Sequence, residues 1–148
     1  MGIRSAWYVN WDKHAYLSLK NNLKHLNMVL PEWFFINPRT DRIETRIDRR
    51  ALRLMRHAGI PVLPMLTNNY GSAFRPEAIG RIMRDDRKRM TMINELASIC
   101  RKNGFSGINL DLEELDINDD ALLITLVKDF AQVFHSQGLY VTGRRRFQ

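Results

Sequence analysis

The chain has 148 residues, enough for one domain with a sizeable core, and its apolar share of 45% and charged share of 26% are ordinary for a globular protein. A single cysteine, Cys100, excludes an intramolecular disulfide and a cysteine-based metal site, and no apolar run is long enough to cross a membrane. The net charge of +7 comes mostly from arginines in 39–56 and 75–89, but Asp41, Glu44, Asp48, Asp85 and Asp86 are interleaved with them, the pattern of a solvated outer face rather than of a nucleic-acid surface.

Short β-rich runs alternate with amphipathic helical runs, which argues for βα units and a parallel sheet. Ala6 to Trp11 reads as a first strand, and Asp12 caps a helix whose apolar residues Tyr16, Leu19, Leu23 and Leu26 recur at helical spacing. Met28 to Ile36 reads as a second strand, with an irregularity expected at Pro31, which has no N–H to give to a ladder. Residues 37–41 form a loop rich in turn chemistry. A helix follows over Asp48 to His57 with Leu52, Met55 and Ala58 on one side, and Gly59 and Pro61 stop it.

Pro61 to Thr67 is the third strand, and 68–75 is a polar loop. Helical sequence runs from Pro76 to Asn103, broken near Asp85-Asp86; its second part carries Met90, Ile93, Leu96, Ala97 and Cys100 on one stripe, and Gly104 ends it. Gly107 to Glu113 is the fourth strand. Asp116 to Asp119 offer N-caps for a helix that buries Leu123, Leu126, Val127, Phe130, Val133 and Phe134; Gly138 closes it and Leu139 to Thr142 begins a fifth strand. Four βα units and the start of a fifth strand suit an open doubly wound sheet, a small complete α/β domain, or half of a (β/α)8 barrel, since a whole barrel takes about 250 residues.

The fourth strand carries the chemistry. Alternation along it sends Asn109, Asp111 and Glu113 to one face and Ile108, Leu110 and Leu112 to the other. A strand buried on both sides is normally apolar throughout, so a whole polar face must be paired or used. Same-face neighbours sit about 7 Å apart, close enough for an ionised Asp111 to raise the proton affinity of Glu113 or the reverse, and a carboxyl kept protonated near neutral pH can act as a general acid. Capping explains Asp116, Asn118, Asp119 and Asp120 without any catalysis, but not the alternation at Asp111 and Glu113.

The run Phe105 to Glu113 resembles the fourth-strand signature D-x-x-D-x-D-x-E of glycoside hydrolase family 18, the chitinase-like family. The signature positions fall on Ser106, Asn109, Asp111 and Glu113; the last two match and the first two depart. Leu66-Thr67-Asn68-Asn69, Gly71, Phe74, Asp85, Arg89 and Gly104-Phe105 are similar to a branch that includes spore-cortex peptidoglycan hydrolases. Tyr8-Val9-Asn10-Trp11-Asp12, Ser18-Leu19-Lys20 and Pro31-Glu32-Trp33 resemble the family 18-like domain of large bacterial proteins with deacetylase and glycosyltransferase modules. The family's third-strand S-x-G-G is not present; Thr67-Asn68-Asn69 stands there.

The resemblance implies the N-terminal half of a (β/α)8 barrel over 1–142, followed by a basic tail, 143–148, that is unstructured or a product of truncation. It implies retaining hydrolysis of β-1,4-linked N-acetylated glycans assisted by the substrate's own acetamido group, an exception to the two-carboxylate scheme. Glu113 would be the acid and Asp111 would orient the acetamido group, with Asn109 leaving Asp111 one like charge fewer than an aspartate would. The alternative is a carbohydrate-binding or scaffolding domain without catalysis, which Ser106, Asn109 and the absent S-x-G-G would suit.

Tyr8, Trp11 and Trp33 could stack on sugar rings, though for Tyr8 and Trp33 the core is the favoured place, and Asn68 and Asn69 could hydrogen-bond a sugar or simply serve the turn. Glu32, a carboxylate within an apolar strand, would pair with an arginine or line the barrel interior. His14, His25, His57 and His135 lack ligand spacing, so no metal and no cofactor are expected. The expected partner is an oligo- or polysaccharide, with no nucleic acid and no membrane segment; open barrel edges would favour self-association. The opening residues show no secretory signal, so the expectation is either a cytosolic protein or a targeting segment carried by a longer parent chain.

Overall fold

The computed structural model describes residues 5–8 (backbone only), 19–20 and 27–143. The strands are β1 (Ser5–Tyr8), β2 (Met28–Ile36), β3 (Ile43–Thr45), β4 (Met65–Thr67), β5 (Gly107–Asp111) and β6 (Tyr140–Gly143). The helices are α1 (Arg49–His57), α2 (Pro76–Arg84), α3 (Asp86–Asn103) and α4 (Asp120–Ser136), the last preceded by a 3-10 turn over Ile117–Asp119. Of the helix expected after Asp12, only Leu19 and Lys20 are described, and they are helical with Leu19 buried; Trp11, His14 and His25 lie outside the described residues.

The strands β1-β2-β4-β5-β6 pair side by side in chain order, each parallel to the next, and β3 folds back antiparallel on β2. A doubly wound sheet reverses its strand order at a switch point; an order that never reverses is the winding of a (β/α)8 barrel. The fold is therefore the N-terminal half of such a barrel.

The two faces of the sheet are distinct. Val29, Trp33, Phe34, Ile36, Val62, Leu66, Ile108, Leu110 and Leu112 join the helices in one large core. Leu30, Leu63 and Met65, with Met28 against them, form a small separate cluster on the face that a barrel turns inward. Apolar residues thus close the base of the interior and leave its upper part to polar side chains.

Local rules account for the helix ends. Asp48 caps α1 by accepting from Arg50 N and Ala51 N, both at 3.1 Å. Asp85 ends α2 and starts α3 by accepting from Lys88 N at 3.1 Å, so the break expected at Asp85-Asp86 is found there. Gly104 takes φ 68° after α3, a left-handed conformation that glycine adopts without steric cost. Gly107 is needed for a different reason: a Cβ there would run into the backbone of its register partner Tyr140, so glycine is what lets β6 approach β5.

Several sequence expectations shift. Ala58 is exposed, not part of the buried side of α1, because Ala51, Leu52 and Met55 fill that side and Ala58 is already the C-cap. The third strand is confined to Met65–Thr67, although Val62 forms an isolated bridge to Val29. The fourth ends at Asp111, two residues early, and Leu112 and Glu113 lie beyond it. Strand β3 follows the 37–41 loop; three residues with one apolar side chain carry too little periodicity to announce a strand. The irregularity in β2 falls between Glu32 and Phe34 on the β4 side rather than at Pro31 itself.

The arginines are tied between elements. Arg89 is 8% exposed and reaches Asp129 and Asp86, both at 2.8 Å, and the Met83 carbonyl at 2.8 Å, clamping α2, α3 and α4 together. Arg81 and Lys88 both hold Asp41 in the turn before β3, at 2.8 and 3.1 Å. No helix among the described residues is long and apolar enough to cross a membrane.

Candidate active site

In a parallel barrel the strand C-termini open onto the mouth. The bulge in β2 decides which side chains reach it. Strict alternation would put Glu32 with Phe34, but the extra residue changes the phase: Trp33 and Phe34 both enter the helix-side core, and Phe35 pairs with Thr67 and joins Glu32 on the inner face. Trp33 is fully buried, its ring 5.8 Å from that of Phe105. Of the two roles open to Trp33, core and sugar stacking, the structure gives the core one, because the bulge turns it away from the interior. Tyr8 ends β1 in register with Pro31; its side chain, like all of Trp11, lies outside the described residues.

Strand β5 presents its polar face inward as the alternation predicts. Asn109 and Asp111 are 5% and 6% exposed, while Ile108, Leu110 and Leu112 pack under the helices. Across the sheet Asn109 aligns with Met65 on one side and Thr142 on the other, and Asp111 aligns with Thr67. Asn109 Nδ2 donates to Thr142 Oγ1 at 2.9 Å, so this amide ties β5 to β6. The oxygens Asn109 Oδ1, Asp111 Oδ1 and Glu113 Oε1 are all shielded from solvent.

Glu113 lies past the end of β5, half-buried at the rim. Its main chain is gripped by Asn68, which follows β4 directly: Glu113 N donates to Asn68 Oδ1 at 3.0 Å and Asn68 Nδ2 donates to the Glu113 carbonyl at 2.9 Å. Asn68 is 1% exposed. The structure therefore corrects its reading as a sugar contact: its amide is turned to the backbone of Glu113. Glu114 follows with φ 56°, a left-handed conformation uncommon outside glycine, which turns the chain sharply after Glu113.

A cavity of about 350 Å³ opens beside this rim, lined by Glu32, Phe35, Arg46, Asn69, Tyr70 and the Gly71-Ser72 turn. Asn69 faces it, its own N–H donating to Thr67 Oγ1 at 3.0 Å. The Arg46 guanidinium lies over the rings of Phe35 and Tyr70, 4.4 and 5.5 Å from their centres, and 3.5 Å from Glu44. Tyr70 Oη bonds both oxygens of Glu44 at 3.0 Å, and Asn37 Nδ2 donates to the same carboxylate at 2.6 Å. The mouth wall on this side is thus a preformed polar network backed by aromatic rings.

Glu32, expected to pair with an arginine or to line the barrel interior, lies on the inner face and lines the cavity. Burial pushes its carboxyl above the ordinary value of 4.5, the negative charge of Asp111 pushes it further the same way, and Arg46 partly opposes both. The signal was present, a carboxylate within an apolar strand, but its facing depends on the bulge. No group of His, Cys, Asp and Glu able to hold a metal is found among the described residues; His57 and His135 are exposed at the ends of α1 and α4.

Neither a protein-family model nor a curated protein matches the sequence. Solved structures do match. A class V chitinase from Pseudomonas fluorescens Pf-5 superposes with a TM-score of 0.85 at 18% identity, over 95% of this chain and 44% of that one. The spore cortex-lytic enzyme SleL of Bacillus cereus gives 0.83 at 12% identity, over 95% and 34%. A variant of the class V chitinase of Nicotiana tobaccum, solved in complex with NAG4, gives 0.79 at 16% identity, over 97% and 44%. The chain spans less than half the length of these structures. What it shares with them is the fold, a partial (β/α)8 barrel, as the resemblance in the fourth strand implied.

Proposed function

We propose that this chain is part of a family 18-like glycoside hydrolase acting on β-1,4-linked N-acetylated glycans, with Glu113 as the acid that protonates the leaving glycosidic oxygen. The observation that carries this reading is the inner face of β5: a buried Asp111 beneath a rim carboxyl whose backbone is fixed by a buried side chain. A barrel interior tolerates such groups only where they are used or paired. The likeness of fold to chitinases and to a spore cortex-lytic enzyme supports the same reading.

In the proposed reaction the substrate's acetamido oxygen attacks the anomeric carbon as Glu113 gives its proton to the leaving oxygen. Asp111 orients the acetamido N–H and balances the positive charge that develops on the ring, an electrostatic contribution that a water-poor site strengthens. Water, activated by the now ionised Glu113, then opens the cyclic intermediate with net retention. The wall at Asn69, Tyr70 and Arg46 would receive sugar hydroxyls.

A second reading, a glycan-binding domain without catalysis, draws on one observation: Asn109 is occupied with Thr142 and brings no charge to the site. A single experiment separates the two. The polypeptide carrying this chain is incubated with reducing-end-labelled chitin oligosaccharides, as wild type and as Glu113→Gln. The hydrolase reading expects cleavage that falls about 100-fold or more in the variant, the usual worth of a general acid, with glycan binding retained. Binding without cleavage in the wild type would establish the second reading, and cleavage undiminished in the variant would remove Glu113 from the mechanism.

A further inference from the structure

We infer that Glu32 is the second carboxyl of the site and that it shares one proton with Asp111 across the barrel interior, so that Asp111 carries the pair's single charge. The inference rests on the proposed function only for its catalytic meaning; the pairing itself rests on the geometry.

Glu32 and Asp111 come from β2 and β5, the second and fourth strands of the barrel, with β4 between them. Glu32 aligns with Met65, and Met65 aligns with Asn109. An eight-stranded barrel with a shear of 8 advances by about one residue per strand, and alternate strands fill a common layer of the interior. Two strands across from Glu32, that stagger leads two residues along β5 from Asn109, to Asp111. Beneath this layer lie Leu30, Leu63 and Met65, an apolar floor that gives neither carboxyl a hydration shell from below.

Among the described residues, the charged groups that act on Glu32 are Asp111 and Arg46. Asp111 comes from β5 and Arg46 from the segment after β3, while Tyr70 lines the same cavity from the β4–α2 loop. The inner residues of β4, Met65 and Thr67, bring no charge. Arg46 is held at the mouth by stacking on Phe35 and Tyr70 and by Glu44, which leaves it a partial counterweight to Asp111. Burial and the Asp111 charge both favour the neutral form of Glu32, so the shared proton resides on Glu32. It leaves to solvent only when the pH passes the raised midpoint of that group, and the pair then bears two charges. Glu32 thereby brings the neighbouring carboxyl that Asn109 does not. It is a positioning residue, acting through Asp111.

The test is a carbon-detected NMR titration of carboxyl groups in the 148-residue chain, as wild type, Glu32→Gln and Asp111→Asn. Both substitutions keep size and shape, and the amide spectrum reports whether each variant is folded. Asp111→Asn should lower the Glu32 midpoint by about one pH unit, the size expected for two like charges two strand spacings, about 10 Å, apart. On this pairing Asp111 ionises while Glu32 is still protonated, so Glu32→Gln, which keeps that neighbour neutral, should leave the Asp111 midpoint nearly unmoved. Arg46→Gln should move Glu32 upward. A purely structural role would not produce this asymmetry, in which only loss of the charged partner moves the other midpoint.

A Glu32 midpoint unmoved by Asp111→Asn, or one already at 4.5 in the wild type, overturns the pairing. These readings need no turnover. A Glu32 midpoint lowered by Asp111→Asn in a protein that cleaves no glycan would sink the hydrolase reading and leave the pair; cleavage dependent on Glu113 with that midpoint unmoved would sink the pair alone.

Discussion

Asn68 hydrogen-bonds both main-chain groups of Glu113, its Oδ1 accepting from the N–H at 3.0 Å and its Nδ2 donating to the carbonyl at 2.9 Å. The last β4–β5 ladder partners are Thr67 and Asp111. One residue past Thr67, a side-chain amide takes over the role of the missing backbone and carries the pairing two residues further up β5. The rim carboxyl is therefore placed by a group in sequence 45 residues away.

Removing this clamp leaves two polar groups at the rim without their partner. Each lost partner costs about 1–3 kcal/mol when the group is buried. Because Glu113 is only half-buried, Asn68→Ala is expected to lower stability by about 2–4 kcal/mol, the lower part of the range for two such groups, measured as a shift in denaturant midpoint at unchanged slope. Asn68→Asp keeps the acceptor for the N–H but sets a carboxylate against the Glu113 carbonyl. Its destabilisation should ease as the pH falls and the new carboxyl gains a donor proton.

Gly107 has no room for a side chain against Tyr140. Gly107→Ala should force β6 away from β5 and break the pairs Gly107↔Tyr140 to Leu110↔Gly143. Hydrogen exchange of the β6 amides should rise well above that of β4, and a variant with β6 as protected as in the wild type would contradict the close approach.

Burial pushes the Cys100 thiol up to about 12, and its Sγ lies 3.6 Å from the Gly107 carbonyl. The thiolate is the reactive form, so the folded chain should resist alkylation by iodoacetamide at pH 8 and react fully once unfolded in guanidinium. Rapid labelling of the native protein would mean that the α3–β5 core opens.

Asp41 is held below its ordinary value of 3.8, first by its hydrogen bond to Arg81 and then by Lys88. A carboxylate whose folded value is depressed contributes stability that is present above its unfolded value and lost as the pH falls through the folded one. The turn before β3 should therefore loosen below about pH 4, read as faster exchange of the Asp41 and Arg42 amides, and Asp41→Asn should remove that pH dependence.

Much of this was legible in the sequence because it is local. Asp48, Asp85, Gly104 and Gly138 mark helix ends through backbone chemistry that depends on a few neighbouring residues. The inward row of Asn109 and Asp111 follows from alternation along one strand, and the apolar stripes of α3 and α4 follow from helical spacing. What the sequence could not decide was where alternation changes phase. One extra residue in β2 sends Trp33 into the helix-side core and Glu32 into the interior, and its place is set by register with β4, a strand distant in sequence. The contact of Asn68 with Glu113 is of the same kind. Turn chemistry explains Asn68 on its own terms; only the meeting of two strand ends, fixed by the stagger of the whole sheet, turns its amide onto the backbone of the rim carboxyl.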